Sequence, residues 1–228
     1  MIKMTKETMQ IDGKCSLCNK LMSEKAMRTH IKTCAETHKT SNSDCRSTQR
    51  FYLAIKGSDF PMYWLHLEAP AANSLQQLDS FLRDIWLECC GHLSCFTIEG
   101  ARYSSYPCDD DELVEEEGMH YRLSKVLRKG LKFSYEYDFG STTCLDLHVV
   151  DTWQRREMKP EIKLLARNQS PAWECANCGK PGAWIEACGF GLDLEMVLCN
   201  DCTDQAEEPE CLLPLVNSPR TGVCGYTG

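Results

Sequence analysis

No run of about 18 apolar residues occurs in this 228-residue chain, so no stretch is long enough to cross a bilayer as a helix. The opening MIKMTKETMQ lacks the apolar core of an export signal. No glycine-rich phosphate loop is present, and no serine or tyrosine nucleophile stands in a recombinase-like setting, so no ready-made active site can be read off. These absences predict a cytoplasmic protein with no membrane contact and argue against an enzyme.

Cysteine, by contrast, is abundant, at sixteen residues. Cytosolic thiols are kept reduced, so paired C-x-x-C spacings point to metal before disulfides. Charge is uneven. Residues 1–50 hold ten Lys and Arg against five Asp and Glu, a net of +5, and the remainder carries −13, which together make the overall −8. An acidic body repels phosphate backbones, so any nucleic-acid contact falls to the amino-terminal piece.

That piece carries Cys15, Cys18, His30 and Cys34 in a C-x2-C-x11-H-x3-C array. His30 and Cys34 lie four apart and face one way on a helix, while Cys15 and Cys18 fit a tight knuckle before it. Ser23 is a helix cap followed by Glu24 in the first turn, and Met22 and Met27 supply a small apolar plug. The array resembles a Cys-Cys-His-Cys zinc finger spanning residues 1–36. His38 is a rival ligand that fits less well. Lys20, Lys25, Arg28 and Lys32 are candidate nucleic-acid contacts from its helix, although a merely soluble face explains them equally and single fingers read DNA weakly. Residues 37–50 are polar, rich in Ser and Thr and contain Cys45; they read as a linker holding the finger loosely.

From Phe51 the pattern changes. FYLAIKG and MYWLHLEA alternate as strands. Ser74 with Gln77 then opens a helix whose stripe Leu75, Leu78, Leu82, Ile85, Trp86 and Cys89 is core. Cys89, Cys90, His92 and Cys95 invite a metal reading. However, Cys89 falls on the stripe, Gly91 breaks the helix, and adjacent cysteines chelate one ion awkwardly, so a buried-thiol reading is preferred. Seven carboxylates between Asp109 and Glu117 lack the oxygen spacing and glycine of a calcium loop and read as a solvated loop.

The stretch LKFSYEYDFGSTTCLDLHVV is a hairpin, with Leu131, Phe133, Tyr135 and Tyr137 facing Leu145, Leu147 and Val149. Asp138 fits the turn by bonding backbone amides. Asp138, Asp146 and His148 are weak catalytic candidates, since no nucleophile accompanies them. EIKLLARN is a further strand. Cys175, Cys178, Cys199 and Cys202 follow as C-x2-C-x20-C-x2-C, a four-thiolate zinc-knuckle spacing over residues 171–206. Cys188 between them reads as a stray core residue, and Cys211 and Cys224 have no assigned role. Leucines 212, 213 and 215 favour a tail, 207–228, that packs back on the body. Two structural zinc ions are expected, with protein or nucleic acid as the partner of the finger.

FLRDIWLECCGHLSCF, FSYEYDFGSTTCLDLHV, IKLLARNQSPAWECANCGK and NSPRTGVCGYTG together resemble the plasmid pRiA4b ORF-3-like family over about residues 50–228. The YDFG turn is the most specific mark. In many relatives an acidic residue, a tryptophan and a histidine follow it; here Ser141, Thr143 and Leu145 stand there. The resemblance implies an α+β fold with an antiparallel, partly closed sheet and a covering helix over residues 51–170, flanked by the two small zinc-binding modules. It also implies an association with plasmids and mobile elements, and no particular reaction.

Overall fold

The two alternating segments after residue 50 become the middle of a ten-stranded sheet in a computed structural model that describes residues 10–38, 47–107, 116–156, 161–187 and 194–228. In chain order the elements are β1 (Gly13–Cys15), β2 (Leu21–Met22), α1 (Glu24–Thr37), β3 (Ser47–Gly57), β4 (Trp64–Pro70), α2 (Leu75–Leu82), β5 (Ser94–Ile98), β6 (Ala101–Ser104) and β7 (Glu116–Gly118). Then follow α3 (Leu123–Val126), β8 (Lys132–Tyr137), β9 (Thr143–Arg156), β10 (Lys163–Asn168), β11 (Trp184–Glu186), β12 (Val197–Leu198) and β13 (Leu212–Pro214). The main sheet has the order β2-β1-β10-β4-β3-β9-β8-β5-β6-β7 and stays open, where the resemblance implied partial closure, because its edge strands β2 and β7 do not pair. Its pairings are antiparallel apart from β6 with β7. β12, β11 and β13 form a second, small sheet. The fold is α+β, as the residues and the resemblance both implied.

One face of the main sheet carries α2. Ser74 and Gln77 close a reciprocal capping box, and the helix continues through one π turn at Arg83–Leu87. Leu75, Leu78, Leu82 and Trp86 are fully buried among Leu53, Leu65, Tyr135 and Leu145. Each such side chain contributes about 1.5–3 kcal/mol relative to exposure, so the stripe fixes the helix on the sheet. Cys89 is not part of that stripe. The helix has ended by Glu88, whose backbone is extended, and Cys89 is only half-buried.

The other face is covered as well, and this overturns the expectation of a loosely held finger. Every residue of β4 is buried, as are Arg50 through Ile55 of β3. A sheet apolar on both faces must be covered on both, and the cover here is α1. Met27, Ile31, Cys15 and Cys34 pack with Tyr52, Ala54, Trp64, Val150, Leu165 and Ala166. β1 extends the sheet by pairing Gly13 with Asn168 and Cys15 with Ala166. Lys32 pairs with Asp151 at 3.1 Å and Glu36 with Arg155 at 3.0 Å. Arg155 and Arg50 both reach the buried Glu68, at 3.3 and 3.1 Å. Part of the segment expected as linker is thus strand β3, while 39–46, with Cys45, lie outside the described residues.

Gly13 permits the seam. A Cβ there would stand 2.2 Å from Trp64 Cη2 and 2.4 Å from the Arg167 carbonyl oxygen. Gly13→Ala is therefore expected to weaken docking by about 1–3 kcal/mol through overpacking. Hydrogen exchange should quicken in β1 and α1 while β3 and β9 stay protected; unchanged exchange in α1 would remove Gly13 from the seam.

Candidate metal centres

Three quartets of cysteine and histidine assemble among the described residues, each with its ligand atoms within 4.8 Å of one another. An ion in tetrahedral coordination with metal–sulfur bonds of about 2.3 Å sets sulfurs about 3.8 Å apart, and this is the yardstick for each quartet.

The first quartet is Cys15, Cys18, His30 and Cys34. After β1 the backbone folds tightly, with Cys15 N–H donating to Lys20 O at 3.0 Å and Asn19 N–H to Cys15 O at 2.8 Å; Asn19 takes a positive φ of 62°. α1 presents His30 and Cys34 one turn apart, beneath its Ser23 cap. Cys15 Sγ lies 3.9 Å from Cys34 Sγ, and Cys18 Sγ 3.2 Å from His30 Nε2. His38 stays outside the quartet; its Nδ1 donates to Cys34 O at 2.9 Å, at the end of the helix.

The carboxy-terminal quartet, Cys175, Cys178, Cys199 and Cys202, repeats the first knuckle's geometry. Cys175 N–H donates to Lys180 O at 2.8 Å and Gly179 N–H to Cys175 O at 2.9 Å, with Gly179 at φ 70° in the place of Asn19. Only glycine enters that region without strain. β11 and β12 carry the second pair to it, leaving Cys178 Sγ 3.5 Å from Cys199 Sγ and 3.6 Å from Cys202 Sγ. Burial acts to raise the Cys175 thiol, but backbone amides of Cys199, Asn177 and Cys178 outweigh it and bring it down to about 6. The neighbouring Cys178 and Cys199 sulfurs push Cys202 up to about 12. Burial, then Cys18 and Cys15, do the same to Cys34. In these two quartets the ionisation of Cys34 and of Cys202 is opposed by neighbouring thiols, a conflict that a bound dication removes.

The third quartet joins Cys89, Cys90 and His92 to Cys224; Cys89 is half-buried and Cys90 exposed, so neither is the fully buried thiol expected from the helix stripe. Cys95 does not belong to it: it is buried in β5, its Sγ 3.4 Å from Phe96 O. Cys211 sits half-buried with Sγ 3.4 Å from Glu208 Oε2. Cys188 and most of the acidic tract, 108–115, lie outside the described residues. A signal for the missing ligand was present in the sequence: a Cys-Cys-x-His set one ligand short, and a leftover cysteine between glycines in the tail.

The three catalytic candidates are not brought together. Asp146 and His148 share a cleft of about 490 Å³ with Glu24, Arg28, Lys56 and Lys132, whereas Asp138 lies past Tyr137 at the turn of the hairpin. Asp146 meets Ser58 Oγ at 3.1 Å and Lys56 at 3.7 Å. His148 Nδ1 is 3.4 Å from Arg28 Nη1, and burial, then Arg28, lower its basicity. Asp138 is buried and paired with Arg220 at 2.7 Å. Of the proposed nucleic-acid contacts, Arg28 is engaged with Glu24 at 2.6 Å and Lys32 with Asp151, while Lys20 and Lys25 point to solvent.

Among the described residues no helix is long and apolar enough to cross a membrane. No curated protein matches the chain. A crystal structure of a protein of unknown function, MM3350 from Methanosarcina mazei Go1, is similar at 16% identity, covering 53% of this chain and 70% of that one with a TM-score of 0.46. The family model described as plasmid pRiA4b ORF-3-like protein matches residues 49–186, from β3 to the end of β11. The chain belongs to the plasmid pRiA4b ORF-3-like family.

Proposed function

We propose that this protein is a non-catalytic zinc-binding scaffold of the cytoplasm, associated with plasmids or mobile elements, that presents its amino-terminal finger to a macromolecule. The observation carrying the reading is the pair of flanking quartets, whose sulfur–sulfur separations of 3.5 to 3.9 Å match the edge of a zinc tetrahedron. Thiolate with imidazole, and four thiolates, are donor sets suited to zinc. Asp138, a candidate for chemistry, holds Arg220, and Arg28, a candidate nucleic-acid contact, holds Glu24. Lys20 and Lys25, with the exposed Leu21 between them, form the outward surface of the finger.

Elemental analysis of the untagged protein tests the metal reading. Cys15→Ser and Cys175→Ser should each lose one zinc per chain relative to the parent; a count unchanged by either substitution refutes that site. Lys20→Glu with Lys25→Glu should weaken capture of DNA, RNA or a protein partner at low salt about tenfold, on the order of 1.4 kcal/mol, and equal capture by parent and variant would discard the finger as the reader.

The cleft supports a second reading, an enzyme acting on nucleic acid or a small ligand beside the hairpin. Its lining sets Arg28, Lys56, Lys132 and His148 around one space with Glu24 and Asp146, a mixture suited to a ligand carrying both charges.

A further inference from the structure

We propose that Cys89, Cys90, His92 and Cys224 form a third zinc centre, one that fastens the carboxy-terminal segment to the end of the covering helix. The donor atoms have the required spacing. Cys90 Sγ lies 3.7 Å from Cys89 Sγ and 3.8 Å from Cys224 Sγ, against the roughly 3.8 Å edge of a zinc–sulfur tetrahedron. His92 Nε2 sits inside the same group, 2.9 Å from Cys90 Sγ and 3.2 Å from Cys224 Sγ. A disulfide needs sulfurs about 2.05 Å apart, and none of these pairs approaches that.

The backbone is shaped to bring these atoms together. Glu88 is extended and Gly91 takes φ 78°, so the chain reverses around Cys89 and Cys90, and both neighbouring thiols turn toward one point. In the tail Gly222, Cys224 and Gly225 have φ of 75°, 51° and 68°. A cysteine held in the left-handed region costs of order 1–3 kcal/mol and persists where its surroundings demand it. Here the demand is the direction of its sulfur.

The surroundings of the donors are those of a metal site. His92 Nδ1 faces Asp138 Oδ1 at 3.5 Å, the carboxylate–histidine relation that orients a ligating imidazole and turns its other nitrogen to the ion. Arg220 Nη2 approaches Cys89 Sγ at 3.4 Å while holding Asp138 Oδ2 at 2.7 Å. Three thiolates and a neutral imidazole around a dication leave one negative charge, and Arg220, fully buried, lies against it. The YDFG turn thereby gains a role beyond closing a hairpin: its aspartate positions a histidine. Cys90 and Cys224 are exposed, so this ion is the one of the three most open to chelators and exchange.

Native mass spectrometry of the untagged full chain, with zinc and free thiols counted on the same sample, decides the matter. The parent should hold three zinc ions. Cys224→Ala, which removes a ligand from the tail and leaves the core sequence intact, should hold two. His92→Cys should keep three, and in the cobalt-loaded form should strengthen the sulfur-to-metal charge-transfer band. Cys144→Ser, outside every quartet, should keep three. A parent with two ions and Cys90 and Cys224 as free thiols or as a disulfide overturns the proposal. So do three ions in Cys224→Ala. Cys15→Ser and Cys175→Ser run in parallel report the flanking sites separately, so failure of the third centre and failure of those two are distinguishable.

Discussion

Asp138→Ala is expected to lower the stability of the central domain by about 3 kcal/mol, because it takes from a buried guanidinium its carboxylate partner. Arg220 is fully buried, and its Nη1 also donates to Thr143 Oγ1 at 3.0 Å and to Ser141 O at 3.1 Å. These two acceptors are neutral, and the Cys89 sulfur 3.4 Å from Nη2 replaces only part of the carboxylate. The backbone adds to the loss. Asp138 has φ 65°, a region that Asp and Asn tolerate better than Ala, and where alanine costs about 1–2 kcal/mol more. Asp138→Asn keeps the tolerant backbone and an acceptor for the Gly140 N–H, now bonded at 3.0 Å, so it should fall between parent and alanine variant. Urea unfolding followed by tryptophan fluorescence measures all three. An alanine variant within about 1 kcal/mol of the parent would mean that the ion pair is not what holds the turn.

Metal removal should have the second large effect, and a local one. Structural zinc contributes about 10–16 kcal/mol to small modules at neutral pH, comparable with the whole stability of an ordinary domain of about 5–15 kcal/mol. The small sheet of β11 to β13 has strands of three, two and three residues, and around the quartet its buried cluster is Cys175, Cys199, Cys202 and Leu198. Beyond that, Ile185 and Val197 tie it to the edge of the main core, with Leu213 against them. Chelation at neutral pH should therefore strongly reduce hydrogen-exchange protection across residues 175–187 and 194–214 while β3, β8 and β9 keep theirs. The thiols must be ionised to bind, so protons compete with the metal, and less chelator should suffice as pH falls from about 8 to about 6. Undiminished protection in 175–187 and 194–214 after complete metal removal would show that the module stands by its own packing.

The strands around the covering helix, its cap and the hairpin were legible because each rests on local periodicity: period two in Phe51, Leu53 and Ile55, helical spacing in Leu75, Leu78 and Leu82. The flanking quartets were legible for a related reason, since each knuckle encloses its two cysteines within four residues. The third quartet was not. Cys224 stands 134 residues from Cys90, and no local pattern joins them; only the return of the tail, with Ser218 Oγ donating to Trp86 O at 2.6 Å, brings them into reach. The docking of the finger is not legible in the alternation of the first face of each strand. Tyr52, Ala54 and Trp64 lie on the second face, and an apolar second face already implies a second cover.

The pairing of β1 with β10 has a consequence for the protein without metal. Lys163–Asn168 is bounded on one side by β4 and on the other only by the three residues of β1. Once the finger lets go, that side becomes a bare row of amide and carbonyl groups beside Leu164 and Leu165, a template on which strands of other molecules can add. The first sign of metal loss would then be self-association that rises with concentration while the central sheet is still folded.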